Sequence, residues 1–326
     1  MQDPRKVKYA LNKATASVIK SSALLIILMA ALFFSANDNF FHIDGVPSSA
    51  DVVHFFGGGV KPYVKLKDNE ACVYFIDVGQ GDCELITCGG YNILIDCGEE
   101  DSVYNVSRFL KYSGIERLDL VIVTHQHIDH MGGMYNLIQE YDVGQLIMPS
   151  IADETLLNEV PLKKMLAAAE LKNITVKTVT SGEKYLLGEN SYLQILAPLY
   201  FDYKNINNFS VAAKFVHGKN SFLFTGDMER EGELDLAYSN WDLNCDVLKV
   251  GHHGSAGSVC EELLAEVKPG IAVFETDEIN YYGHPRTEVI ERLENIGCKE
   301  MYFTARDGNI AVISDGQSLH TITEKG

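Results

Sequence analysis

Cationic side chains are scarce in this sequence: 27 Lys and Arg stand against 45 Asp and Glu among 326 residues. Five of those cations (Arg5, Lys6, Lys8, Lys13, Lys20) lie in the first 20 residues beside a single acid, Asp3. The remainder therefore holds 22 basic against 44 acidic residues, a net charge of −22. A surface that acidic repels polyanions at long range, which argues against an extended nucleic-acid groove but allows a local grip on one phosphate. Paired cysteines are also missing. The seven present (72, 83, 88, 97, 245, 260, 298) are odd in number and form no C-x-x-C pair, so spacing identifies neither a disulfide framework nor a cysteine-ligated zinc site. Cys72, Cys83, Cys88 and Cys97 fall in or beside strand-like runs, where cysteine acts as a small apolar core residue. The sequence has no repeat period or low-complexity tract, and 46% apolar with 22% charged residues is ordinary for a folded chain. Its length suits one large domain or two small ones.

One apolar run stands apart. The 17 residues between Lys20 and Asp38 are uncharged, with basic residues before them and acids after. This pattern predicts a single transmembrane anchor over 21–37, residues 1–20 in the cytoplasm and the rest outside it. A cleaved signal peptide is the alternative, although bulky Phe34, two before Ala36, makes a poor cleavage site. Residues 38–70, with Pro47, Gly57–Gly58–Gly59 and Pro62, read as a spacer with an edge strand near Tyr63–Leu66.

Residues 71–326 read as the folded domain. Period-2 apolar runs predict strands at 72–78, 83–87, 91–95, 118–123, 145–148, 175–179, 192–197, 211–216, 221–224, 246–250, 271–274, 301–304, 310–313 and 319–322. Helical patterns fit 103–112, 133–141, 229–238, 261–267 and 288–295. Strands, then mixed β/α units, then strands again predict sheets covered by helices in one layered α/β domain.

The chemistry concentrates in "VTHQHIDHMGG", Val123 to Gly133, where three His and one Asp directly follow a buried strand. In an extended loop His125 and His127 can converge on one cation while Asp129 and His130 turn toward a second; such donors suit Zn²⁺ and tolerate Mn²⁺. "FLFTGD" places Asp227 behind a glycine after an apolar strand, where a carboxylate can bridge two cations. "VLKVGHHGS" places His252 and His253 at another strand end. His284, in "YYGHP", is either a proton donor or phosphate contact, or a turn residue fixed ahead of Pro285.

Together these segments resemble the metallo-β-lactamase superfamily, and within it the extracellular domain of ComEC-type DNA-uptake proteins. The likeness runs in order through "FIDVGQGD" (75–82), "LIDCG" (94–98), "THQHIDHMGG" (124–133), "NNFSV" (207–211), "LFTGD" (223–227), "LKVGHHGS" (248–255) and "NYYGHP" (280–285). It implies an αββα sandwich behind the single N-terminal transmembrane helix, with two divalent cations, Zn or Mn. His125 and His127 would bind the first; Asp129 and His130 would bind the second. Asp227 would bridge them, and His252 would complete the second site with His253 reaching substrate, or the reverse. Asp129 would orient the attacking water, and Asp77 and Asp96 would orient the imidazoles. A further His that many members supply to the first cation is missing. Asn208 is the candidate to stand near that position, as an amide ligand or substrate contact. The implied activity is hydrolysis of a phosphoester outside the cytoplasm, on a DNA strand or on an envelope phosphodiester of the kind cleaved by phosphorylcholine esterases. The alternative in another class is a non-catalytic, metal-stabilised envelope binding module.

Overall fold

The computed structural model describes residues 64–150 and 159–326, together with Met29 and Phe33. The basic segment 1–20, most of the anchor 21–37 and the spacer up to 63 lie outside the described residues. Among the described residues no helix is long and apolar enough to cross a membrane.

From Ala71 onward the chain runs β1 (Ala71–Phe75), β2 (Glu84–Cys88), β3 (Tyr91–Ile95), α1 (Val103–Tyr112), β4 (Arg117–Ile122), α2 (Ile128–Met131), α3 (Met134–Glu140) and β5 (Asp142–Met148). Then come α4 (Val160–Leu171), β6 (Thr175–Thr178), β7 (Lys184–Gly188), β8 (Ser191–Ile195), β9 (Ala213–His217), β10 (Asn220–Phe224), α5 (Arg230–Ala237) and β11 (Val247–Lys249). The last elements are α6 (Glu261–Val267), β12 (Ile271–Phe274), α7 (Thr287–Asn295), β13 (Glu300–Phe303), α8 (Thr304–Asp307), β14 (Ile310–Ser314) and β15 (Leu319–Thr323). Among the described residues fifteen strands form two sheets, ordered 15-14-1-2-3-4-5-6 and 13-12-11-10-9-8-7.

The period-2 alternation of each strand decides its two faces. In β1, Ala71, Val73 and Phe75 turn inward to the layer between the sheets, while Tyr74 turns outward to meet Phe109 of α1, ring centroids 5.1 Å apart. In β10, Phe222 and Phe224 point inward, and Leu223 points outward into a second core with Leu236, Leu263, Leu264 and Leu293 of α5, α6 and α7. Helices thus cover the outer faces of two sheets packed face to face: the expected αββα sandwich.

Helix α4 and strand β7 go unassigned from sequence. In α4 the buried residues are Leu162, Met165, Ala168 and Ala169, and two alanines give a weak apolar stripe. The edge strand expected near Tyr63–Leu66 is absent over 64–66. The physical reason is that the adjoining strand, β1, is flanked by β14 and β2, so it offers no free edge to pair with.

Beside the antiparallel strands, each sheet has a parallel run: β3–β4–β5–β6 in one and β10–β11–β12–β13 in the other. Loops leaving the carboxyl ends of β3, β4, β10, β11 and β12 converge there, the usual place for chemistry in parallel sheets.

Candidate metal centre

Strand β4 delivers Val123 and Thr124, after which the chain bends at His125 and Gln126 and reaches His127. His127 is the N-cap of α2, with ψ 151°, so Asp129 and His130 sit on the first helical turn. His125 Nε2 and His127 Nδ1 lie 3.0 Å apart. After β10 ends at Phe224, Thr225 and Gly226 lead into the turn that delivers Asp227, whose backbone N–H donates to Ser210 Oγ at 3.1 Å. Strand β11 leads into the turn 251–254, where consecutive His252 and His253 hold left-handed backbones, φ 47° and 53°. Two side chains with a Cβ in that region cost roughly 1–2 kcal/mol each, and the strain swings both rings into the cleft.

The donors resolve into two sets. His125, His127 and Asp227 form one; Asp129, His130, Asp227 and His253 form the other, within each of which the ligating atoms lie within 4.8 Å of one another. Asp227 belongs to both. Its Oδ2 is 3.2 Å from His130 Nε2 and 3.6 Å from His253 Nε2, and His253 Nε2 is 3.4 Å from Asp129 Oδ2. Buried His130 Nε2, His253 Nε2 and Asp227 Oδ1 have no well-formed hydrogen bond, although buried polar atoms ordinarily find one. Convergent, unsatisfied nitrogen and carboxylate donors fit two divalent cations sharing Asp227.

The geometry decides one expectation that was left open between two residues and corrects two others. His253, not His252, joins the four-donor set. His252 stands at the rim, Nε2 3.6 Å from Asp227 Oδ2 and Nδ1 3.4 Å from Glu229 Oε1. Asp77 does not orient an imidazole: its Oδ1 accepts the Gly79 N–H at 3.2 Å and its Oδ2 faces Lys325 Nζ at 4.0 Å. Asn208 is occupied elsewhere, because its Oδ1 accepts the Glu229 and Gly232 N–H groups at 3.0 and 3.2 Å and pins the start of α5.

Asp96 does orient an imidazole, its Oδ2 lying 2.7 Å from His130 Nδ1, while Thr124 N–H holds its other oxygen at 2.8 Å. His253 Nδ1 bonds the Glu275 carbonyl at 3.0 Å and has Asp82 Oδ1 beside it at 3.2 Å, an ionic neighbour that sequence reasoning missed. Gly81 makes this placement possible, since a Cβ there would lie 2.4 Å from the Asp129 carbonyl. Beneath Asp82 lies a buried cluster also absent from the sequence reading. Lys249 Nζ is 2.6 Å from Asp82 Oδ2 and 3.8 Å from Glu275 Oε2, and Glu84 completes the group. Lys249 shares the inward face of β11 with Val247, and Glu84 that of β2 with Ile86, where a period-2 strand calls for apolar residues. A charge at such a position was the available signal.

A cavity of about 320 Å³ opens onto the two donor sets and is lined by His127, Asp129, Asp227, His252, His253 and His284. A larger one of about 600 Å³, lined by Lys65, Glu70, Tyr91 and Asn92, contains none of these donors. Burial, then the neighbouring His252, lowers His284 to about 4, so at neutral pH this ring offers a neutral N–H rather than an imidazolium proton. Burial, then His130, likewise pushes His125 well below its ordinary value and leaves it free to ligate.

His130 and His253 behave oppositely. Burial alone would lower them, but Asp227 and Asp82 lift His253 to about 10, and Asp227, Asp96 and Asp82 lift His130 well above its ordinary value. In the metal-free chain these raised values stabilise the fold fully below the ordinary histidine pKa, and the His253 contribution is lost as pH rises through about 10. Cation binding must displace both protons. Affinity at the four-donor set is therefore expected to rise on the order of a hundredfold per pH unit between about pH 6.5 and 8, with two protons released. Calorimetric titration in buffers of different ionisation enthalpy measures this, and a pH-independent affinity would show that the rings are neutral beforehand.

Residues 76–274 match the family model of the metallo-beta-lactamase superfamily, and the chain belongs to that superfamily. Within it, the most similar curated relatives include competence proteins of the ComEC type. ComE operon protein 3 of Bacillus subtilis is 30% identical over 244 residues, 69% of this chain and 31% of that protein. Recombination protein 2 of Haemophilus influenzae is 31% identical over 225 residues, 67% of this chain and 26% of the relative. The chain thus spans less than a third of the length of either. Among solved structures, CmlA, a diiron β-hydroxylase from Streptomyces venezuelae, superposes at TM-score 0.50 with 16% identity, covering 84% of this chain and 59% of that one, a likeness of fold alone.

Proposed function

We propose that the chain is a binuclear metallo-phosphodiesterase, anchored in the cell membrane by residues 21–37 and working outside the cytoplasm. The observation that carries the reading is Asp227, shared between a His125–His127 set and an Asp129–His130–His253 set in one cavity. When bound, two divalent cations, Zn or Mn, supply Lewis acidity toward a phosphoryl oxygen and lower the pKa of water. The chain's own groups do the rest. Asp96 and the Glu275 carbonyl hold Nδ1 of His130 and His253, with Asp82 beside the latter, so that each Nε2 is turned toward Asp227. Asp129, held down to about 2 against burial by its contact with His253, stays ionised and can orient the attacking water through a carboxylate oxygen. His284 contributes a neutral N–H toward the leaving oxygen. The missing third histidine of the first set and the hard oxygen donors favour a phosphoester over a lactam.

Net charge favours short substrates. A domain carrying −22 gains little from counterion release on a long polyanion, whereas two cations put +4 at one point. A DNA strand is the second reading, favoured by the likeness to competence proteins. The test compares an aryl phosphodiester, a phosphorylcholine ester, single- and double-stranded DNA, a lactone and a β-lactam, using the purified full chain with Mn²⁺ or Zn²⁺. Turnover of the aryl phosphodiester is expected, with duplex DNA cut slowly and more slowly still at low salt, where repulsion is least screened. Rapid duplex cleavage would restore the nuclease; turnover of the lactone or β-lactam alone would sink the phosphoester reading.

The basic residues before the uncharged run and the acids after it support the anchor and its orientation. External protease on intact cells is expected to remove everything after about residue 40, at the end of the apolar run, and leave a short membrane-held stub. Full protection would place the domain on the cytoplasmic side.

A further inference from the structure

The loop between β12 and α7 exposes two aromatic rings beside the metal centre. Tyr281 is 94% and Tyr282 66% exposed, yet only Tyr282 lines the cavity that holds Asp227 and His252. Its ring stacks on His284, centroids 5.9 Å apart and planes at 27°, and His284 in turn meets His252 edge-on at 5.7 Å.

This loop is built rather than loose. Asn280 Nδ2 donates to the His284 carbonyl at 2.6 Å, the Tyr282 N–H donates to Asn280 Oδ1 at 2.9 Å, and the Arg286 guanidinium donates to the Tyr282 carbonyl at 3.0 Å. The Arg286 N–H reaches the Gly254 carbonyl at 2.9 Å. Gly254 follows His253, and a Cβ on it would lie 2.6 Å from Pro285, so the aromatic loop is seated directly on the turn that presents both histidines. Gln80 also lines this cavity.

We propose that Tyr282 and His284 form a stacking subsite for a planar aromatic group, a nucleobase or an aryl ring, attached to the phosphate gripped at the metal centre. The proposal rests on the phosphodiesterase reading above. Charge supports it: with cationic side chains so scarce, affinity beyond the cations must come from contacts that need no counter-charge, and stacking on an aromatic face is such a contact.

The experiment measures calorimetric binding of adenosine monophosphate, p-nitrophenyl phosphate and inorganic phosphate to the full Mn²⁺-loaded chain. It uses wild type, Tyr282→Ala, Tyr282→Phe and Tyr281→Ala. Wild type is expected to bind the nucleotide on the order of tenfold tighter than phosphate. Tyr282→Ala should erase that preference, while Tyr282→Phe and Tyr281→Ala keep it. In turnover, Tyr282→Ala should raise KM by a similar factor for a nucleoside p-nitrophenyl diester and by distinctly less for a dialkyl diester, while Tyr282→Phe keeps the wild-type KM for both. Preference for the nucleotide over p-nitrophenyl phosphate assigns a nucleobase; equal preference assigns any aryl ring. No preference in wild type, or a preference that survives Tyr282→Ala, overturns the subsite. Absent diester turnover with the preference intact removes only the phosphodiesterase reading, whereas turnover indifferent to Tyr282 removes only the subsite.

Discussion

Asp227→Ala is expected to lower kcat/KM on the order of a thousandfold or more, with metal content falling from nearly two per chain toward one or less. The carboxylate is the one side chain common to both donor sets, so its loss weakens both grips at once. It also removes the acceptor that faces His130 at 3.2 Å and His253 at 3.6 Å. The fold should survive, because Asp227 sits on a loop after β10 and the two apolar layers bury their own side chains without it. Elemental analysis, circular dichroism and initial rates on one preparation decide the matter. Wild-type turnover, or two tightly held cations in the variant, would break the bridging assignment.

Lys249→Met is expected to destabilise the metal-free chain by about 3–5 kcal/mol. Lys249 and its carboxylate neighbours lie at the site end of the layer between the sheets, almost without solvent. Burial, then Asp82, pushes Glu275 up to about 8, and burial, then Glu275, pushes Glu84 well above its ordinary value, so burial shifts both toward the neutral form. Asp82 is different. Burial would raise it, but Lys249, His253 and His130 outweigh burial and keep it ionised. Removing the ammonium therefore takes from the buried Asp82 carboxylate its nearest counter-charge, 2.6 Å away, and leaves it only the two imidazoles. The paired variant Lys249→Met with Asp82→Asn leaves no lone charge and should recover much of the loss. Urea unfolding of the metal-free proteins measures both. A loss under about 1 kcal/mol in the single variant would mean that water reaches and screens the cluster.

The sequence by itself determined the inventory and order of the metal donors and most of the strands that carry them. The reason is local: a period of two residues marks a strand, glycines mark its turns, and "HQHIDH" packs four donors into one loop. The helix Val103–Tyr112 and the strand Tyr91–Ile95 fall on the residues their patterns predict. What depends on contact between distant segments was decided only by the tertiary structure. "FIDVGQGD" offers Asp77 and Asp82, and nothing local selects between them; the close approach of Gly81 to the Asp129 carbonyl carries Asp82 beneath His253. His252 and His253 are adjacent and chemically alike, and a left-handed turn seated against Pro285 sends only the second into the four-donor set. Lys249 and Glu84 come from strands in different sheets and each looks misplaced in its own strand, while Glu275 directly follows β12. Only when the sheets close face to face do their charges and protons balance, because electrostatic pairing acts through space and leaves no period along the chain.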